Sequence, residues 1–139
     1  MRLTLQIFLI LLLGFSLNDC QKIEGPAGDV FKTWEVKDFI SVENASYEHD
    51  KDIPIYITIN NDQTYNLQLE QNTCQGTILS ITELTIILGQ PVCTNLWHES
   101  SFSRRFEQLI PSVTMYKVTG TTLRLYIKNW GFIECELSE

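Results

Sequence analysis

The stretch SFSRRFEQLIPSVTMYKVTGTTLRLYI, residues 101–127, contains a helical period followed by a strand period. Its first part places apolar residues at the i, i+4, i+7 and i+8 spacing of an amphipathic helix: Phe102, Phe106, Leu109 and Ile110. Either Asn95 or Ser100 could cap the start of this helix, and Pro111 ends it because proline disfavours helical geometry in the preceding residue. The rest predicts two strands joined by the turn at Thr119-Gly120.

The same alternation of apolar and polar residues occurs elsewhere in the chain. Residues 53–59 carry four isoleucines on one face, residues 65–69 alternate Tyr and Leu with polar side chains, and shorter patterns fall at 84–88 and 132–137. The connections are short, so the strands should pair mostly antiparallel. We therefore expect an α+β, mainly β fold: a small curved antiparallel sheet with one amphipathic helix packed on it.

Residues 1–19 have the composition of a secretory signal peptide. Arg2 supplies the positive charge, and an apolar run of about eleven residues ends at Leu17, which is the usual length of a signal hydrophobic region. Crossing a bilayer would require about 20 apolar residues. The sequence therefore predicts export from the cytosol.

The segment Leu17-Asn18-Asp19-Cys20 resembles the lipobox of bacterial lipoproteins, in which a cysteine follows three residues after a leucine. Cleavage before Cys20 would make this residue the mature N-terminus and the site of lipidation. The alternative is ordinary signal cleavage, which leaves Cys20 without lipid. Residues 20–30 then form the anchor cysteine and a flexible tether, and residues 31–139 form the folded domain.

The charge of the chain limits its partners. With 17 acidic and 10 basic residues, the net charge is −7, so no basic surface is expected to neutralise nucleic-acid phosphates. Anionic lipid should also repel such a domain, and membrane contact would then come from the lipid anchor alone.

Several segments between residues 31 and 137 resemble the META domain, the family that includes HslJ-type bacterial envelope lipoproteins. They are TWEV at 33–36, IYITIN at 55–60, NTCQGTI at 72–78, PVC at 91–93, and the helix, strand, glycine turn and Leu-x-Leu strand at 106–126. In the family the cysteine is followed directly by Asn, whereas here Asn72 precedes Cys74 by two residues. The resemblance implies an exported domain of the bacterial cell envelope, lipid-anchored or else periplasmic or secreted. Its role would be stress-related, structural or ligand-binding, with no catalytic mechanism.

The cysteines allow more than one arrangement. If Cys20 is lipidated, three remain, and an oxidising compartment favours one disulfide and one free thiol. Cys135 is in phase with the apolar face of its strand and should be a buried thiol. The META resemblance places Cys74 near Cys93 and implies a candidate disulfide between them. The alternative is a zinc site built from Cys74, Cys93 and His98, with or without Cys135, although no CxxC or HxxxH spacing is present.

Few residues could support catalysis. A Ser–His–acid grouping could be drawn from Ser100, His98 and Glu99, which leaves open a small secreted hydrolytic or metal-dependent enzyme that uses His98. The motifs GxSxG, GxGxxG and HExxH are absent, so we expect no enzyme and no cofactor. His49 lies in an acidic stretch, residues 43–52, that predicts a solvated loop rather than a calcium site.

Aromatic residues near the helix provide a candidate binding surface. Trp97 precedes the helix, Phe102 belongs to it, and Trp130 lies in the predicted turn between the last two strands. Exposed aromatic side chains often mark a surface that binds a protein or an apolar ligand. The alternative is that they pack over the open end of the sheet and stabilise the core.

Overall fold

Nine strands and one α-helix make up the regular structure of residues 29–139, the part of the chain that this computed structural model describes. In chain order they are β1 (Thr33–Ser41), β2 (Tyr56–Ile59), β3 (Thr64–Gln68), β4 (Thr73–Ile81), β5 (Ile86–Leu88), β6 (Val92–Cys93), α1 (Ser101–Leu109), β7 (Val113–Thr119), β8 (Thr122–Ile127) and β9 (Gly131–Leu137). One 3-10 turn, Ile110–Ser112, contains Pro111 and connects α1 to β7. The sequence therefore predicted the helix and its end correctly.

The strands pair antiparallel in the order β5-β4-β3-β2-β1-β9-β8-β7, and β6 pairs with β4. The two ends of this row approach each other, because Thr85 forms a bridge with Met115. Beside this bridge, the amide of Tyr116 donates a hydrogen bond to the carbonyl of Leu84 (3.1 Å). The sheet thus curls until it is nearly closed, which confirms the α+β, mainly β fold.

The core lies inside the curled sheet and consists of the alternating apolar residues of the strands. Its fully buried members include Trp34, Ile55, Ile57, Tyr65, Leu67, Leu123, Leu125 and Ile133. Leu84 is an exception to the predicted pattern, since 65% of it is exposed. It lies in a turn in which the Thr82 hydroxyl accepts hydrogen bonds from the amides of Leu84 and Thr85, so β5 starts only at Ile86.

We call the nearly closed sheet the barrel. Helix α1 covers the end of the barrel at which β1 finishes. Ser100, and not Asn95, is its N-cap: the Ser100 hydroxyl accepts a hydrogen bond from the amide of Ser103 (3.1 Å). The buried face contains Phe102, Phe106 and Leu109, as the spacing predicted. The ring of Phe102 stacks on Phe39 of β1 with 4.2 Å between centroids. The helix therefore closes one opening of the barrel with its apolar side.

The folded domain begins slightly before the predicted boundary. Val30 is fully buried, and its carbonyl accepts a hydrogen bond from Nε1 of Trp34 (2.9 Å), so the last residue assigned to the tether belongs to the core. The predicted signal peptide, Cys20 and residues 21–28 of the tether lie outside the described residues. Within residues 29–139, no helix combines the length and the apolarity that a membrane span needs.

Candidate functional site

The three aromatic residues of the predicted binding surface do not share a surface. Trp97 is 69% exposed, but Phe102 and Trp130 are only 5% and 9% exposed. Phe102 lies between the rings of Phe39 and His49, with centroid distances of 4.2 and 4.3 Å. Trp130 packs edge-on against Phe39. The prediction was wrong for Phe102 and Trp130, because both side chains fill the helix-covered end of the barrel.

The Ser–His–acid grouping is not assembled either. His98 is exposed and forms no hydrogen bond with any residue in the described range. The hydroxyl of Ser100 is the helix N-cap, and the carboxylate of Glu99 accepts hydrogen bonds from Nδ2 of Asn72 (2.7 Å) and the amide of Gln71 (3.1 Å). Ser100 and Glu99 thus bond to other groups and neither bonds to His98, so the geometry gives no support to a hydrolase that uses His98.

A disulfide joins Cys74 of β4 to Cys93 of β6. Neither sulfur is therefore available as a thiolate ligand, and the zinc site drawn from these cysteines and His98 is wrong. Cys135 is a fully buried free thiol, as its strand phase predicted, and burial raises its pKa far above the ordinary value. No group of three His, Cys, Asp or Glu residues within positions 29–139 is arranged to hold a metal ion.

The acidic stretch at 43–52 is a loop in which most residues are exposed, as predicted, but part of it packs against the helix. The carboxylate of Glu43 pairs with the guanidinium of Arg105 in α1 and accepts a hydrogen bond from the Tyr47 hydroxyl (2.7 Å). The bond from Tyr47 is the main cause that holds the pKa of Glu43 below its usual value. His49 stacks on the helix through Phe102. This loop thus covers Phe102, one of the aromatic side chains that were expected on the surface.

A groove of about 780 Å³ lies on the outer face of the sheet, on the strands β2, β3 and β4 and bordered by β1 and β6. We call it the polar groove. Its floor consists of outward-facing polar side chains, namely Thr33, Tyr56, Thr58, Asn66, Gln68, Thr73 and Gln75. Val92 and Thr94 line its border at β6.

Strand register arranges the floor in two rows. The first row crosses five neighbouring strands through Thr33, Thr58, Asn66, Gln75 and Val92. The second row contains Tyr56, Gln68 and Thr73. Residues two apart along a strand face the same side, so all these side chains point away from the core.

The polar groove offers uncharged hydrogen-bonding groups to solvent. None of its lining residues carries a charge, although the chain has a net charge of −7. Within the described range, the hydroxyl of Tyr56 and the side-chain amides of Asn66, Gln68 and Gln75 have no hydrogen-bond partner in the protein. Each amide supplies two donors and one acceptor oxygen. These groups are available to a polar ligand.

Asn72 and the disulfide hold the border of the groove. The buried side chain of Asn72 accepts a hydrogen bond at Oδ1 from the amide of Leu96 (2.8 Å) and donates one from Nδ2 to the carbonyl of Trp97 (2.8 Å). Thr94 also donates to Oδ1 of Asn72 (3.3 Å). The segment after β6 is therefore fixed at its start by the Cys74–Cys93 bond and further along by Asn72.

The sequence analysis missed the polar groove because outward positions of strands are ordinarily read as solvent-facing. One signal was present: the outward positions of β3 and of residues 73–77 in β4 are Thr, Asn and Gln, without the Lys and Glu that are common on exposed strands. That composition indicates a neutral polar face.

No family model matches the sequence, and no curated protein matches it. Among solved structures, the fold is similar to that of a DUF4847 family protein from Bacteroides vulgatus, with a TM-score of 0.58 and 19% identity. The similarity covers 77% of this chain and 92% of that chain. At this level of identity it shows the fold alone.

Proposed function

We propose that the protein is a non-catalytic binding domain of the bacterial cell envelope, exported by its leader and anchored by a lipid on Cys20. The observation that carries the proposal is the disulfide between Cys74 and Cys93. Disulfides form and persist in oxidising compartments outside the cytosol, and they are rare within it. This fits the signal-like composition of residues 1–19 and the lipobox-like segment that ends at Cys20.

The resemblance to the META domain, with a stress-related or structural role in the envelope, is part of the same proposal. It is supported by the order of helix, strand, glycine turn and Leu-x-Leu strand, which corresponds to α1, β7, Gly120 and β8. A binding role is supported by the polar groove, in which the hydroxyl of Tyr56 and the side-chain amides of Asn66, Gln68 and Gln75 form no hydrogen bond within the described residues. Ser100 and Glu99, the residues a hydrolase would need beside His98, are occupied by structural hydrogen bonds.

The test is the intact mass of the protein from the membrane fraction, measured before and after reduction. We expect a chain that begins at Cys20 and carries diacylglycerol, and a gain of about two daltons on reduction of one disulfide. The variant Cys20→Ala should lose the lipid and leave the membrane fraction. The matched control Cys135→Ala changes a cysteine that is buried in the core and should keep the lipid.

Other masses would contradict parts of the proposal. A cleaved chain without lipid in the soluble periplasmic fraction would exclude the anchor and support the soluble alternative. An uncleaved chain with reduced Cys74 and Cys93 in the cytosol would overturn the proposal as a whole.

A further inference from the structure

The size of the polar groove fits an extended ligand. Its first row runs from Thr33 in β1 to Val92 in β6, across five strands. Four spacings of about 4.8 Å between strands give a row of about 19 Å. The floor is a sheet face whose backbone groups already pair between strands, so a peptide cannot bind there by adding a strand. Side chains must provide the recognition.

A charged ligand does not fit this lining. Carboxylates and phosphates are usually bound by Arg or Lys, and none of the lining residues is basic. Cationic ligands would need an acidic partner, and the lining has none either. Glu35, the register neighbour of Tyr56 at the edge of the second row, forms an ion pair with Lys37 (2.7 Å). The ligand should therefore be uncharged.

A purely apolar ligand does not fit either. Pockets for apolar molecules are lined mainly by hydrophobic and aromatic side chains with a few polar groups, whereas most of the residues that line this groove have polar side chains. Covering the amides of Asn66, Gln68 and Gln75 with hydrocarbon would remove their water without replacing its hydrogen bonds, which is unfavourable. The ligand must carry many donors and acceptors of its own.

We propose that the polar groove binds a neutral oligosaccharide. This inference rests on the proposed binding function and names its ligand class. Sugar hydroxyls both donate and accept hydrogen bonds, and so they match hydroxyl groups, which do the same, and side-chain amides, which donate from nitrogen and accept at oxygen. The ring of Tyr56 provides a flat surface for the apolar C–H face of a sugar ring, and its hydroxyl can bond to the ligand. The row of polar groups across five strands favours several linked sugars over a single one.

The test uses the full chain in detergent and isothermal titration with neutral hexasaccharides of glucose, mannose, xylose and N-acetylglucosamine. We expect at least one of them to bind, more tightly than the disaccharide of the same sugar and more tightly than an oligogalacturonate of equal length. Gln68→Ala and Gln75→Ala should each weaken binding about threefold to tenfold, the effect of losing one or two hydrogen bonds. Tyr56→Ala should weaken it at least as much.

Gln108→Ala is the matched control, because Gln108 is an exposed amide on α1 that does not line the groove. It should leave the affinity unchanged, and thermal melts should show that all variants stay folded. Absence of binding by all four hexasaccharides at millimolar concentration would overturn the inference, as would binding that the groove variants do not weaken. Neither result would change the mass of the lipid-anchored chain, so a failure here is distinct from a failure of the proposed anchoring.

Discussion

Tyr65 fills its part of the barrel interior because its cross-strand neighbour has no side chain. Gly76 of β4 is the register partner of Tyr65 of β3, and a Cβ added at Gly76 would overlap the tyrosine ring. A different rotamer of Tyr65 would break the hydrogen bond that its hydroxyl donates to the carbonyl of Gly89. The glycine is therefore required by the close approach of an aromatic ring.

We predict that Gly76→Ala lowers the free energy of unfolding by about 1–3 kcal/mol, the usual effect of overpacking a core. Urea unfolding followed by tryptophan fluorescence measures it. Thr77→Ala, at the next and exposed position of the same strand, should change stability far less. Equal stability of the two variants would show that the Tyr65 ring moves without strain.

Tyr65 also makes stability depend on pH in the alkaline range. Burial raises its pKa to about 12, whereas a tyrosine in an unfolded chain titrates near 10. Between these values the folded state retains a proton that the unfolded state has lost. The free energy of unfolding therefore falls as the pH rises from about 10 to about 12, and this contribution is fully present below pH 10.

We predict that Tyr65→Phe makes this fall less steep. Loss of the bond to Gly89 should lower stability by the same amount at every pH, so only the slope reports the titration. Urea unfolding between pH 8 and about 11.5 gives the slope for both proteins. A Tyr65→Phe protein with the wild-type slope would contradict the prediction.

At the scale of elements, the segment between β6 and α1 has little regular structure and depends on one buried side chain. Asn72 binds the amide of Leu96, the carbonyl of Trp97 and the carboxylate of Glu99. An amide side chain suits this position because it donates and accepts at the same time. The position of helix α1 relative to β4 is thus fixed through Asn72 as well as through the apolar core.

We predict that Asn72→Ala lowers the free energy of unfolding by about 1–3 kcal/mol, since it leaves several groups without their partners. It should also speed amide exchange at Leu96 in the native state, which hydrogen exchange measured by NMR detects. Asn95→Ala is the matched control, because Asn95 lies in the same segment, is exposed and forms no side-chain hydrogen bond with the residues described. Unchanged exchange at Leu96 in Asn72→Ala would contradict this role.

The elements that the sequence predicted well are those with a long regular period. Helix α1 has three apolar residues in phase, and β3 and β8 alternate over their whole length, so their buried faces could be read directly. Strand β6 has only two residues, which is too short to show any period. Exposure of Trp130 was predicted from its place in a turn. The residues around it in the sequence do not show that Phe39, in a strand distant along the chain, packs against it.

At the scale of the whole molecule, the polar groove could not be predicted because its residues are brought together only by strand pairing. Thr33 and Val92 lie in one row although they are far apart in the chain, and three other strands separate them. A single strand shows which of its side chains face outward, but the order of strands in the sheet decides which outward side chains become neighbours. The neutral composition of β3 and β4 indicated the chemistry of this face without indicating its extent.

The disulfide contributes to the stability of the whole barrel, because it ties β6 and the following segment to β4. It joins residues 19 positions apart, and closing a loop of this length in the unfolded chain is worth about 3 kcal/mol. We predict that the double variant Cys74→Ala/Cys93→Ala loses stability of this order in urea unfolding. Reductant should lower the urea midpoint of the wild type toward that of the double variant and leave the double variant unchanged. Cys135→Ala, which removes a free buried thiol, should remain sensitive to reductant. A double variant as stable as the wild type would mean that the hydrogen bonds of Asn72 and the pairing of β6 with β4 hold this border without the covalent bond.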